Sequence, residues 1–130
     1  MIGLDTSAII DIFRGEKGMA AFLKENQEPM AVTIFSYLEL FFGLDPDNVR
    51  HQEEARYYNE FFQEIYSIDL SKQACQGSSK IFWELKKRGK SIEEADCVIA
   101  AIFLHHGITK IVTRNVKHFK QIPQLQVVNY

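Results

Sequence analysis

The sequence predicts an α/β/α sandwich with a mainly parallel central sheet. Short apolar runs alternate regularly with longer segments of helical periodicity, and this βαβ rhythm favours parallel strands with helices on both faces. The chain holds no low-complexity tract and no internal repeat. Its 130 residues, 46% hydrophobic and 25% charged, suit a single domain over 1–130 with one core.

The elements follow in order. MIGL is a short apolar strand, and AIIDIFRG is a helix with Gly15 as its stop. GMAAFLKEN makes a second helix, MAVT a strand, and FSYLELFFGL a third helix ended near Gly43 and Pro46. The longest helical pattern runs from Asp47 to Phe62. Its aromatics Tyr57, Tyr58, Phe61 and Phe62 recur at i, i+3 and i+4, a spacing that reads as a core stripe. YSIDL is a third strand, SKQACQGSSKIFWELKKRG and SIEEADCVIAAIFLHHG are helices, and KIVT and LQVVNY are the closing strands.

Charges interrupt every apolar stretch well short of the roughly 18–20 residues a membrane span needs. Met1 leads straight into Ile2 and Leu4 without the pattern of a signal peptide, so the expected compartment is the cytoplasm and no membrane partner is expected. Cys75 and Cys97 form no CxxC pair and read as two reduced, buried thiols. The formal net charge is -2. It is unevenly spread: residues 1–71 carry 13 acidic against 5 basic side chains, and residues 72–120 carry 10 basic against 4 acidic. Such asymmetry marks either a basic surface beside an acidic one or two solvated helix faces of opposite sign.

In an open α/β sheet, ligands bind outside the carboxyl ends of the strands. Asp5 follows the first strand and Asn115 follows KIVT, so both belong to that rim. Asp5, Thr6 and Ser7 can each cap the following helix. Because Thr6 or Ser7 suffices, Asp5 is expected to stand free at the strand end.

Glu39 lies among large apolar residues, with Phe35 and Phe42 at i−4 and i+3, and a desolvated carboxylate there needs a partner or a cation. In SIEEAD, Ser91 and Glu94 fit a capping box, and Glu93 complements the helix dipole. Asp96 reads as lying a turn beyond them, on the apolar stripe with Ile99, Ala100 and Phe103. Each acid has a structural explanation: a cap, a salt bridge or a dipole acid. Three of them pointing inward also suit a hard divalent cation such as Mg²⁺ or Mn²⁺.

These residues resemble the PIN-domain ribonucleases, and among them the VapC-type toxins of toxin–antitoxin pairs. The resemblance covers essentially the whole chain and rests on LDTSAIIDIFRG, LELFFGL, ADCVIAAIFLHHG and IVTRNVKHF in that order. It implies a Rossmann-like PIN fold in which Asp5, Glu39 and Asp96 match the family's first three acidic positions and serve as metal ligands. The fourth position falls on Asn115, whose neutral amide keeps hydrogen-bonding capacity but contributes no charge. The same resemblance implies Mg²⁺- or Mn²⁺-assisted hydrolysis of RNA with 5′-phosphate and 3′-hydroxyl products, homodimers, and a VapB-type antitoxin partner.

Thr6, Ser7, Thr113 and Arg114 adjoin the expected ligands and are candidates to contact substrate phosphate. Lys86, Lys87, Arg88, Lys90, Lys110, Lys117 and Lys120 extend a candidate basic rim. Of the histidines, His105 and His106 close a helix, and His118 is a minor candidate three residues after Asn115. The competing expectation is a PIN-like module that binds RNA or protein without cleaving.

Overall fold

A computed structural model describes residues 1–130. Five strands, β1 (Ile2–Leu4), β2 (Met30–Thr33), β3 (Tyr66–Ile68), β4 (Lys110–Val112) and β5 (Gln126–Val128), form one sheet. The helices are α1 (Thr6–Arg14), α2 (Lys17–Glu25), α3 (Ile34–Phe42), α4 (Val49–Glu64), α5 (Lys72–Lys87), α6 (Glu94–His105) and the short α7 (Val116–Phe119). All strand pairs are parallel and the strand order is β3-β2-β1-β4-β5, so the expected α/β architecture holds.

Alternation along each strand divides the apolar side chains between two cores. Ile2, Leu4, Val32 and Val112 face one side, where they meet Ala8, Ile9, Met19 and Leu40. Ala31, Ile68 and Ile111 face the other, against Ile81, Ile99, Ile102, Phe103 and Phe119. The single core expected from length is therefore two, one on each sheet face. Gly3 points to the second face in the central strand, and the Phe103 ring lies where a Cβ would stand, at 2.7 Å. Gly15 ends α1 at φ 65°, a left-handed value that favours glycine.

Several expectations change. The aromatic stripe of α4 is a half-buried cover: Tyr58, Phe61 and Phe62 pack on the first core, Tyr57 stays exposed, and no residue of α4 is fully buried. The Ser91 capping box does not form, because Ile92 is buried in the second core and α6 starts only at Glu94, with Glu93 at its cap. Asp96 consequently sits in the first turn of α6. Cys97 is buried, whereas Cys75 is exposed. No helix is long and apolar enough to cross a membrane.

Candidate active site

The strand order reverses at β1: α1 leads from it toward β2, while β4 enters on its other side. The crevice outside the carboxyl ends of β1 and β4 is the place where this topology opens a ligand site. Residues 5–7 and 113–115 border it.

Asp5 is the N-cap of α1, which corrects the expectation that Thr6 or Ser7 would cap and leave it free. Its backbone is still extended, at ψ 177°, and its carboxylate thereby reaches the unpaired N–H groups of the first turn. Thr6 and Ser7 already belong to the helix. The Ala8 N–H donates to Asp5 Oδ1 at 2.9 Å, Ser7 Oγ donates at 2.8 Å, and Thr113 Oγ1 donates to Oδ2 at 2.6 Å. The residue is 1% exposed. Burial pushes its pKa up to about 6, although these three hydrogen bonds oppose the rise; the charge of Asp96 adds to it.

Glu39 on α3 is half-buried. Its apolar surroundings are less complete than the sequence suggests, because Phe42 is 82% exposed. The Thr6 hydroxyl donates to Glu39 Oε1 at 2.6 Å and lies 2.8 Å from Ser36 Oγ. Desolvation raises the Glu39 pKa, the Thr6 hydrogen bond opposes this, and the charges of Asp96 and Glu93 reinforce it. Asp96 is buried, and its Oδ2 accepts from His118 Nδ1 at 2.7 Å. Its pKa is raised by burial, with His118 opposing and Glu93 contributing.

The fold thus brings Asp5, Glu39 and Asp96 close enough for Asp96 to disfavour ionisation of both others. It does not close three of them on one point: no group of three acids, histidines or cysteines forms a metal cage. Asn115 is exposed beside them as the N-cap residue of α7. Its side chain makes no capping hydrogen bond, and its N–H donates to Thr113 Oγ1 at 2.9 Å.

The remaining candidates divide. Thr6, Ser7 and Thr113 hold carboxylates in place, and Ser7 Oγ also accepts the Arg114 N–H at 3.0 Å. Arg114 is tied through Nη1 to Asp11 Oδ1 at 3.4 Å. Asp11 is 3% exposed and also accepts the Tyr130 hydroxyl, which raises the tyrosine pKa together with burial. Lys110 leaves the expected rim altogether, since it starts β4 at the amino edge of the sheet and pairs with Glu28 at 2.7 Å. Lys86 lies over the rings of Trp83 and Phe82. Lys87, Arg88, Lys90, Lys117 and Lys120 are exposed and form no ion pair.

Sequence reasoning underrated His118 and missed Glu93, Asp11 and Tyr130 as members of this network. The available signal for His118 was its i+3 spacing from Asn115 on a helical turn. Nothing local marks Tyr130, whose partner is 119 positions away.

A PIN-domain family model matches residues 2–125. Ribonuclease VapC1 of Methanocaldococcus jannaschii is 27% identical over 98% of this chain and 85% of its own length. Among solved structures, VapBC-1 of nontypeable Haemophilus influenzae aligns with a TM-score of 0.79 at 26% identity, covering 99% of this chain and 98% of that one. The DNA-bound VapBC of Salmonella typhimurium aligns at 0.83 with 22% identity, covering 98% and 96%, which shows the shared fold. With the strand order, the acids at the β1/β4 crevice and a match spanning nearly its whole length, this chain belongs to the PIN-domain family.

Proposed function

We propose that this chain is a Mg²⁺- or Mn²⁺-dependent endoribonuclease, the VapC-type toxin of a type II toxin–antitoxin pair. The observation that carries the reading is the set Asp5, Glu39 and Asp96 gathered at the β1/β4 crevice, each with its pKa raised by burial and two of them further by Asp96. Likeness to VapC ribonucleases supplies the reaction class.

The donor set suits the ion. It is all oxygen, and of its three acids only Asp96 has a basic side chain, His118, within ion-pair reach. Mg²⁺ normally takes one or two carboxylates, with water and phosphate completing its shell, so it does not require the three-ligand cage that the acids do not form. Asp5, Asp96 and Glu39 would hold it. When bound, the ion supplies Lewis-acid polarisation of the phosphoryl oxygen and activates water for attack.

The protein's own groups set the geometry. Ser7, Thr113 and the Ala8 N–H fix the Asp5 carboxylate, Thr6 orients Glu39, and His118 orients Asp96. The Asn115 amide offers hydrogen bonds to phosphate or water without adding charge. Arg114, restrained by Asp11, leaves a half-exposed guanidinium in a neighbouring opening with Arg14 and Tyr130, available to substrate phosphate.

The exposed stripe of Ile34, Leu38 and Phe42 on α3 supports a homodimer. A groove of about 450 Å³ that reaches Thr6 and Glu39, walled by Ile10, Phe13, Leu40 and Tyr58, supports docking of a VapB-type antitoxin at the site. The test is cleavage of a structured RNA by purified protein with Mg²⁺ or Mn²⁺. Wild type cuts, and Asp96→Asn loses at least about a hundredfold in rate. Equal cleavage by the variant, or RNA binding without any turnover by wild type, overturns the reading; the second result makes the chain a non-cleaving binding module.

A further inference from the structure

Helices α5 and α6, joined by residues 88–93, pack along one another with Gly77 against Ala101. Their outer seam opens into a groove of about 350 Å³ lined by Ser78, Ser79, Phe82, Trp83, Glu94 and Val98. Trp83 is the only tryptophan, is 50% exposed, and belongs to neither core. Its one aromatic contact is edge-on to Phe82 at 5.5 Å, and Lys86 Nζ stands 5.1 Å from its ring centroid. Lys87, Arg88 and Lys90 follow, unpaired; Glu94 is the one acid lining the groove, while Arg88 and Glu84 turn to a separate opening beside Pro123.

We propose that Trp83 with Phe82 and the basic turn Lys86–Lys90 is a second RNA-contacting site, on which a base of a single-stranded flank stacks while its phosphates meet the lysines. The inference rests on the ribonuclease reading for its substrate class. Exposed aromatics interleaved with cations are the pattern that binds single strands without sequence preference, and excess positive charge around the ring favours a polyanion over an apolar protein face. Position connects the two sites. The first turn of α6 presents Glu94 to the groove and Asp96 to the acidic crevice, so only the thickness of one helix, about 10 Å, separates them. A strand leaving Asp96 over that turn reaches Trp83. Glu94 lines the groove beside Trp83, so phosphates are held toward Lys87 and Lys90 and the ring takes the base.

Because Trp83 is the sole tryptophan, its emission reports this site alone. Titration with oligo(U) in EDTA, where no cleavage occurs, quenches it, and Lys87→Gln with Lys90→Gln reduces the slope of log affinity against log salt by about 1.4. In cleavage assays, Trp83→Ala raises KM for a long single-stranded substrate about tenfold with kcat unchanged, Trp83→Tyr restores most of the loss, and a substrate too short to span the helix is cut equally by all three proteins. Absence of quenching, an unchanged KM, or the same loss on the short substrate overturns the proposal. So does conversion of a dimer to a monomer by Trp83→Ala in light scattering, which assigns the face to a second copy. Quenching without any RNA cleavage by wild type overturns the ribonuclease reading and leaves this site standing.

Discussion

Replacing Asp5 with asparagine separates stability from chemistry. Burial lifts the Asp5 pKa from 3.8 to about 6. The folded chain therefore holds this proton more tightly than the unfolded chain, and stability falls as pH rises through that interval. Below about pH 3.8 both states are protonated and no cost exists; above about pH 6 the folded protein bears all of it, about 3 kcal/mol at roughly 1.4 kcal/mol per unit. Asparagine carries no charge at any of these pH values. Its oxygen can take the Ala8 and Ser7 donors, and its NH₂ can donate to the Thr113 hydroxyl, so most of the hydrogen bonding survives. Imperfect replacement reduces the gain, and Asp5→Asn is expected to be about 1–3 kcal/mol more stable at pH 8, or about 3–10 °C in Tm.

The assay is thermal unfolding of both proteins in EDTA from pH 4 to pH 8. Glu39 and Asp96 also have raised pKa values and tilt both curves in the same direction, so the difference between the proteins reports Asp5 together with its coupling to Asp96. That difference opens between pH 4 and 6 and is flat above. Mg²⁺ then stabilises wild type more than the variant, and RNA cleavage by the variant is lost. A variant less stable than wild type at pH 8, or a difference independent of pH, refutes the account of Asp5 as a desolvated charge.

Gly3→Ala places a methyl group into the Phe103 ring and costs about 1–3 kcal/mol, read as a lower Tm; Phe103→Leu added to it recovers part of that loss, and simple additivity of the two would argue against the clash. Tyr130→Phe deprives the buried Asp11 carboxylate of its hydroxyl donor and lowers stability by about 1–3 kcal/mol, seen as a lower denaturant midpoint at unchanged m. Lys110→Ala leaves the unfolding midpoint and the RNA affinity within experimental error, because its ion pair with Glu28 is solvent-exposed and lies at the amino edge of the sheet.

The sheet, the six longer helices and the acids of the crevice are all legible in the sequence, because alternation and helical periodicity are local signals and Asp5 stands at the end of an apolar run. The pairings are not. Asp96 meets His118 across 22 positions, and Asp11 meets Tyr130 across 119; tertiary folding alone creates both contacts. Capping fails as a sequence inference in two opposite ways. At DTS three residues offer the same chemistry, and only the point where the strand backbone yields to the helix selects Asp5. At SIEEAD a sound capping box is overridden because burial of Ile92 holds the chain out of the helix until Glu94. Helix α4 misleads because its aromatics lie over the edge of a core: the periodicity is real but the burial is only half.

The central position of β1 has a consequence during synthesis. Ile2 finds one neighbour at Met30 and the other only at Lys110. A growing chain thus carries Asp5 long before it possesses Asp96 or the Thr113 hydroxyl that helps seat the Asp5 carboxylate. At roughly 5–20 residues per second, that interval is on the order of ten seconds. Throughout it the crevice does not exist, and its acids come together only when the fourth strand has emerged and docked beside the first.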